Sequence, residues 1–269
     1  MQYISINNQT IAYSDNKADG QPLVFVHGNS LSSATYKHQL KDKTLNKYRL
    51  IAFDFPGHGD SSRAEEPEKT YSYTGFISVL LEFVNKLNLH EAVFVGHSLG
   101  GHMILNASPK LPSAKGFVFF GTPPLGFPPD MGKYFLPNPV FPLAYKPDLT
   151  TNEINDLASA FVKKDIKIPD VIIKDIRRSH QEMRGYLGAS LIPENLSDEV
   201  EIIENIGKPV AIFHGMNDQL VNGEYLKELN IPTLWQNEIE IITGSGHCPQ
   251  LENPKEFNLK LNEFLDQIL

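Results

Sequence analysis

At 269 residues the chain can hold one α/β domain with an insertion, and its 41% apolar and 21% charged residues exclude disordered, collagen-like and coiled-coil classes. Lys plus Arg total 24 against 32 Asp plus Glu, a formal charge of −8, so there is no overall basic field for a phosphate backbone and nucleic acid is not an expected partner. A single cysteine, Cys248, excludes an internal disulfide framework, and nine histidines without an H-E-x-x-H pairing give no reason to expect a metal site.

The chain begins Met1-Gln2-Tyr3-Ile4-Ser5-Ile6-Asn7-Asn8, with no basic segment leading into an apolar one, and no apolar run is long enough to span a bilayer. A cytoplasmic protein without a membrane span is therefore expected. Tyr3 to Ile6 and Thr10 to Tyr13 read as a hairpin around Asn7-Asn8, since Asn tolerates the positive φ of a tight turn. Short continuous apolar runs follow at Pro22 to Val26, Tyr48 to Phe53, Glu91 to Val95, Gly116 to Phe120, Pro209 to Phe213 and Ile239 to Thr243. Such runs suit strands covered on both faces. Between them lie helical stripes, the clearest being Tyr73, Phe76, Ile77, Leu80, Val84 and Leu87, with Phe257, Leu261, Phe264, Leu265 and Ile268 near the end. Strands alternating with helices predict a mostly parallel sheet with helices on both faces, which binds ligands at the carboxyl ends of its strands.

The alternation breaks after Phe120. Eight prolines between Thr122 and Pro147 forbid long regular elements, and Phe127, Tyr134, Phe135, Phe141 and Tyr145 lie among them. Two helical stretches follow: one with Thr150 and Glu153 as a capping box ahead of Ile154, Leu157, Ala158 and Phe161, and one opened by Pro169 with Ile172, Ile176, Met183 and Leu187 on one face. The expected organisation is a core over 1–121 and 206–269, interrupted by an inserted helical cap over 122–205.

Gly96-His97-Ser98-Leu99-Gly100 is a G-x-S-x-G between an apolar strand and a helix-compatible stretch. In that context the glycines allow a sharp, strained turn that pushes the Ser98 hydroxyl out of the sheet. A serine hydroxyl is a weak nucleophile at neutral pH, so the reading requires an acid and then a His downstream. Asp218, in His214-Gly215-Met216-Asn217-Asp218, and His247, in Gly244-Ser245-Gly246-His247, each follow a strand; Gly121 to Gly126 offers no rival acid, and Asp54 and Asp60 precede the elbow. The oxyanion donors are expected to be the N–H groups of Leu99 and Asn29, with the His27 ring bracing their loop. His97, His102 and His180 are read as packing or surface residues, Cys248 as a filler, and Ala64 to Glu68 as a solvated loop. No cofactor is needed for this chemistry.

His27-Gly28, Asp54-Phe55-Pro56-Gly57-His58-Gly59-Asp60-Ser61, Gly96 to Gly101, Asp218 and Gly246-His247 together resemble the α/β-hydrolase superfamily over essentially the whole chain. A narrower set, His27 to Leu40, Thr70-Tyr71-Ser72, Gly121-Thr122-Pro123-Pro124 and Leu234-Trp235, is similar to the α/β-hydrolase type of N-acyl homoserine lactonase, the metal-independent quorum-quenching enzymes. In that family's pattern an acidic residue follows the Asp218 position, and here it is Gln219. The resemblance implies ring-opening of an acyl homoserine lactone by Ser98, Asp218 and His247, with a small-molecule ester or lactone bearing an apolar acyl chain as the partner. General carboxylesterase chemistry, C–C bond hydrolysis and ligand binding without turnover stay open beside it, as does a homodimer. Asn29 also occurs in haloalkane dehalogenases, but those need an aspartate nucleophile where this chain has Ser98.

Overall fold

A computed structural model describes all residues, 1–269. Eight strands form one sheet: β1 (Gln2–Ile6), β2 (Gln9–Asp15), β3 (Pro22–Val26), β4 (Arg49–Phe53), β5 (Val93–His97), β6 (Gly116–Phe120), β7 (Val210–Gly215) and β8 (Glu240–Ile242), in the order β1-β2-β4-β3-β5-β6-β7-β8. The hairpin β1/β2 and the β2/β4 pair are antiparallel, and every other pair is parallel. Asn7 and Asn8 turn the hairpin with φ of 48° and 63°, as their residue type suggested. β5 runs two residues past the expected end at Val95, because Gly96 and His97 still pair with Phe119 and Phe120.

The eleven helices are α1 (Pro67–Thr70), α2 (Tyr73–Leu87), α3 (Leu99–Ala107), α4 (Met131–Tyr134), α5 (Thr151–Ala160), α6 (Asp170–Arg178), α7 (Gln181–Ala189), α8 (Glu199–Glu204), α9 (Gly223–Glu228), α10 (Pro249–Glu252) and α11 (Pro254–Ile268). The sheet is covered on both faces: along β3, Val24 and Val26 join the apolar cluster of α2 and α3, while Leu23 and Phe25 join that of α11. This alternation explains why the strand reads as an unbroken apolar run. α2 starts at Ser72, whose side chain accepts from Gly75 N–H, and stops at Asn88 in the left-handed conformation. Its buried face is Tyr73, Phe76, Val79, Leu80, Phe83 and Val84, so Ile77 and Leu87 of the expected stripe lie at its margin. No helix is long and apolar enough to cross a membrane.

The segment between β6 and β7 carries α4 to α8. The capping box of Thr150 and Glu153 forms as expected at the start of α5. The stretch after Pro169 is not one helix but two. Ser179 and His180 leave helical geometry, with ψ of 141° and 125°, and the His180 N–H donates to Gly57 O at 2.7 Å. His180 is thus held by the core, its ring 3.0 Å from the Tyr71 hydroxyl, rather than lying on a continuous helical stripe. α5 and α6 pack through Ile154, Leu157, Ala158, Ile172 and Ile176 onto Leu31, Leu220 and Cys248, which follow β3, β7 and β8, and onto Leu251 of α10.

Candidate active site

Ser98 follows β5 with φ 50° and ψ −121°, a strained conformation for a residue with a side chain. The neighbouring glycines make the turn possible. A Cβ on Gly96 would lie 2.6 Å from the Gly101 Cα, and one on Gly100 would lie 2.3 Å from the Val26 carbonyl oxygen. Ser98 N–H donates to Phe120 O, α3 begins at Leu99, and the serine itself is partly exposed in a buried neighbourhood. Leu99 is the first residue of α3, so its N–H has no partner one turn back within the helix.

His247 comes from the loop after β8 and Asp218 from the loop after β7, and the fold brings them together: Nδ1 to Oδ2 is 2.9 Å, with both side chains almost fully buried. Asp218 Oδ1 also accepts from Leu220 N–H at 2.8 Å and Val221 N–H at 3.2 Å. Burial alone would raise the Asp218 carboxyl, but the His247 charge, its hydrogen bond and the Leu220 N–H outweigh it and hold the group below its ordinary value. An ionised Asp218 requires Nδ1 of His247 to carry the hydrogen, which leaves Nε2 as the basic nitrogen. Gly121 makes room for that ring, since a Cβ there would sit 2.7 Å from Cε1. Phe161, at the end of α5, lies over the same ring at 5.8 Å between centroids. Nδ1 makes the bond to Asp218, and Nε2 has no hydrogen bond to Ser98 Oγ; catalytic bonds of this type tighten in the complex with substrate.

The loop after β3 carries His27, Gly28 and Asn29 against the elbow; a Cβ on Gly28 would lie 3.1 Å from the Ser98 Cβ. His27 braces the loop, its Nδ1 donating to Gly28 O at 2.8 Å and its Nε2 accepting from Phe55 N–H at 3.0 Å. His58 does the same one residue along, with Nε2 accepting from Ser30 N–H. Burial lowers both imidazoles, keeping them neutral and able to accept. Asn29 turns its side-chain Nδ2 to Ala144 O, 2.8 Å away in the segment after β6.

The sequence reading did not single out three further groups. Glu252 holds the His247 loop by accepting from Gly246 N–H and Lys163 N–H, each at 2.8 Å. His58 sits inside the Asp54 to Ser61 motif, which was the one signal available for it. Arg184, buried in α7, gave none. His97 is fully buried, donating through Nε2 to His247 O at 2.9 Å and stacked on Phe120, and His102 pairs with buried Glu199 at 2.8 Å. Asp54, the rival acid, accepts from Ser33 N–H and Asp60 N–H and stays in the loop framework. Cys248 is fully buried, and burial pushes its thiol well above the ordinary value.

A serine in a strained turn after β5, and an imidazole oriented by a carboxylate on the loops after β8 and β7, are features that a hydrolase on a mostly parallel sheet of this kind requires. The alpha/beta hydrolase family model matches residues 23–259, and the chain belongs to that family. Its structure matches that of a variant of the N-acyl homoserine lactonase AidH complexed with N-hexanoyl homoserine lactone, with a TM-score of 0.92 at 25% identity over 99% of this chain and 97% of that one. Among curated sequences, the non-heme haloperoxidase of Rhodococcus erythropolis is 26% identical over 281 residues, covering 99% of this chain and all of that protein. The AB hydrolase superfamily protein YisY of Bacillus subtilis (strain 168) is 23% identical over 97% of this chain and 98% of its own.

Proposed function

We propose that the protein is a Ser-His-Asp hydrolase of carboxylic esters whose substrate is the ring ester of an N-acyl homoserine lactone. The observation that carries the hydrolase reading is the strained Ser98 between β5 and α3 together with the 2.9 Å bond from His247 to Asp218. The lactone reading is supported by likeness to a lactonase along nearly the whole of both chains. In this mechanism His247 Nε2 takes the Ser98 proton as Oγ bonds to the lactone carbonyl carbon, and Asp218 stabilises the imidazolium. The N–H groups of Leu99 and Asn29 hold the oxyanion. Collapse breaks the ring C–O bond, and His247 returns the proton to the leaving alkoxide. That alkoxide stays tethered to the acyl group, so slow protonation would let the ring reclose. Water, deprotonated by His247, then releases N-acyl homoserine and restores Ser98.

The segment 122–205 acts in this reading as a cap, and its aromatic, proline-rich stretch supplies the apolar slot for the acyl chain. The test is mass spectrometry of short- and long-chain acyl homoserine lactones incubated with wild-type and Ser98→Ala protein at a pH that suppresses spontaneous opening. The expected result is a gain of one water that reverses in acid and falls about 10⁴-fold or more in the variant. Ser98-dependent cleavage of a simple aryl ester with no lactone opening would leave the triad in place and make the protein a general carboxylesterase. Turnover unaffected by Ser98→Ala would end the mechanism.

A further inference from the structure

Arg184 of α7 is only 2% exposed, and its guanidinium has four hydrogen-bond partners, none of them a carboxylate. Nε donates to Lys146 O at 3.0 Å, Nη2 to Pro147 O at 2.9 Å, and Nη1 to Ser179 Oγ at 2.8 Å and Ser30 Oγ at 3.3 Å. Burying a charge with no carboxylate hydrogen-bonded to it is costly, and the bonds it donates offset part of that cost. Three of them, to Lys146 O, Pro147 O and Ser179 Oγ, stay within the segment between β6 and β7. The fourth leaves that segment and reaches the loop after β3. Ser30 Oγ donates onward to Asn29 Oδ1 at 3.1 Å, and Ser30 itself is held at φ 59°. From the core side the same loop is steadied by His27, which donates to Gly28 O, and by His58, which accepts from Ser30 N–H; both are neutral and bring no charge.

We infer that Arg184 is a positioning residue for the oxyanion-binding loop: through Ser30 it fixes the direction of the Asn29 N–H, and it sets a buried positive charge behind the place where the oxyanion forms. The inference rests on the proposed hydrolase reading and deepens it. Arg184, and Ala144 on the Asn29 side chain, both belong to the segment between β6 and β7. The oxyanion site is thus complete only while that segment is packed on the core, so packing of the segment and competence for chemistry are one event.

The test uses Ser30→Ala, which removes one link and leaves the guanidinium in place, with Arg184→Met, Arg184→Lys and the Ser30→Ala/Arg184→Met double variant. Steady-state turnover of a short aryl ester and of an acyl homoserine lactone is measured alongside inhibition by an alkyl trifluoromethyl ketone, whose adduct with a serine mimics the oxyanion. Expected are a fall in kcat of about tenfold or more for Ser30→Ala and Arg184→Met with KM changed less than about twofold, since misplacing an oxyanion donor acts on the transition state. Ketone affinity should fall in proportion, Arg184→Lys should recover part of the loss, and the double variant should be no worse than Arg184→Met. Unchanged kcat in folded Ser30→Ala would overturn the inference even if the arginine variants fail to fold, as would lost kcat without weaker ketone binding. A wild-type protein that shows no Ser98-dependent turnover of either substrate instead overturns the hydrolase reading, a separate and visible failure.

Discussion

At the scale of single residues, the readable part of the site was the part that local backbone demands. Ser98 needs glycines on either side because Gly96 passes within contact distance of Gly101 in α3 and Gly100 within contact distance of the end of β3, and the motif records that need. Asp218 and His247 were legible from chain order and from their positions just after apolar strands. Arg184 and Glu252 were not: each acts on groups that are distant in sequence, such as Ser30 for Arg184 and Lys163 for Glu252, and no spacing rule reaches so far. The close approach at the elbow gives a direct test. A methyl on Gly100 would sit 2.3 Å from Val26 O and 2.6 Å from His27 O, both backbone atoms that cannot rotate away. Gly100→Ala should cost about 3 kcal/mol or more in urea unfolding, the upper range for overpacking, and should displace the loop that bears Asn29. An unchanged midpoint would mean that the turn is looser than described.

Among elements, strands and helices with strong periodicity were legible, and the hairpin turn was fixed by two asparagines. The break between α6 and α7 was not, because Ile172, Ile176, Met183 and Leu187 keep an apolar period across it while Gly57 captures the His180 N–H from outside the helix. Gln219 departs from the lactonase pattern, and its environment explains what an amide does there. Nε2 donates to Ser159 O at 3.0 Å and to Val162 O at 2.7 Å, tying the end of α5 to the loop that bears Asp218. A carboxylate cannot donate, and it would face two carbonyl oxygens. Gln219→Glu should therefore loosen α5 by about 1–3 kcal/mol, read as faster amide hydrogen exchange over residues 151–160 with little change in the sheet. Equal exchange in both proteins would rule out the tether.

For the whole molecule, the burial of the sheet on both faces follows from alternating apolar runs and helical stripes, whereas the polar seam between the β6–β7 segment and the loops after β3 and β4 was invisible in sequence. Asp175 is central to that seam. It accepts from Ser32 Oγ at 2.6 Å and pairs with Arg178 at 3.0 Å, and Arg178 reaches Asp60 at 2.9 Å. Burial pushes the Asp175 carboxyl from 3.8 to about 6, against the lowering by Ser32 and Arg178. Between those values the folded chain holds a proton that the unfolded chain has released, so this group's contribution to stability is full below about pH 4 and is lost as pH rises through about 6. Asp175→Asn removes that slope. Relative to wild type, the variant should gain about 2–3 kcal/mol between pH 4 and pH 7 in urea unfolding series, and parallel pH profiles would contradict the assignment.

Cys248 adjoins His247 in sequence, lies wholly inside, and is the only sulfhydryl of the chain. The thiolate is the form that attacks a thiol reagent, and burial suppresses it, so labelling of the native protein must wait for an opening that exposes Cys248. The molecule thus carries its own stopwatch for that excursion. Release of chromophore from an aromatic disulfide reagent should be far slower than for a free thiol, with a rate that levels off as reagent increases, because opening becomes limiting. Holding that opening shut with an occupant on Ser98 should slow the clock further, without any label having been engineered in.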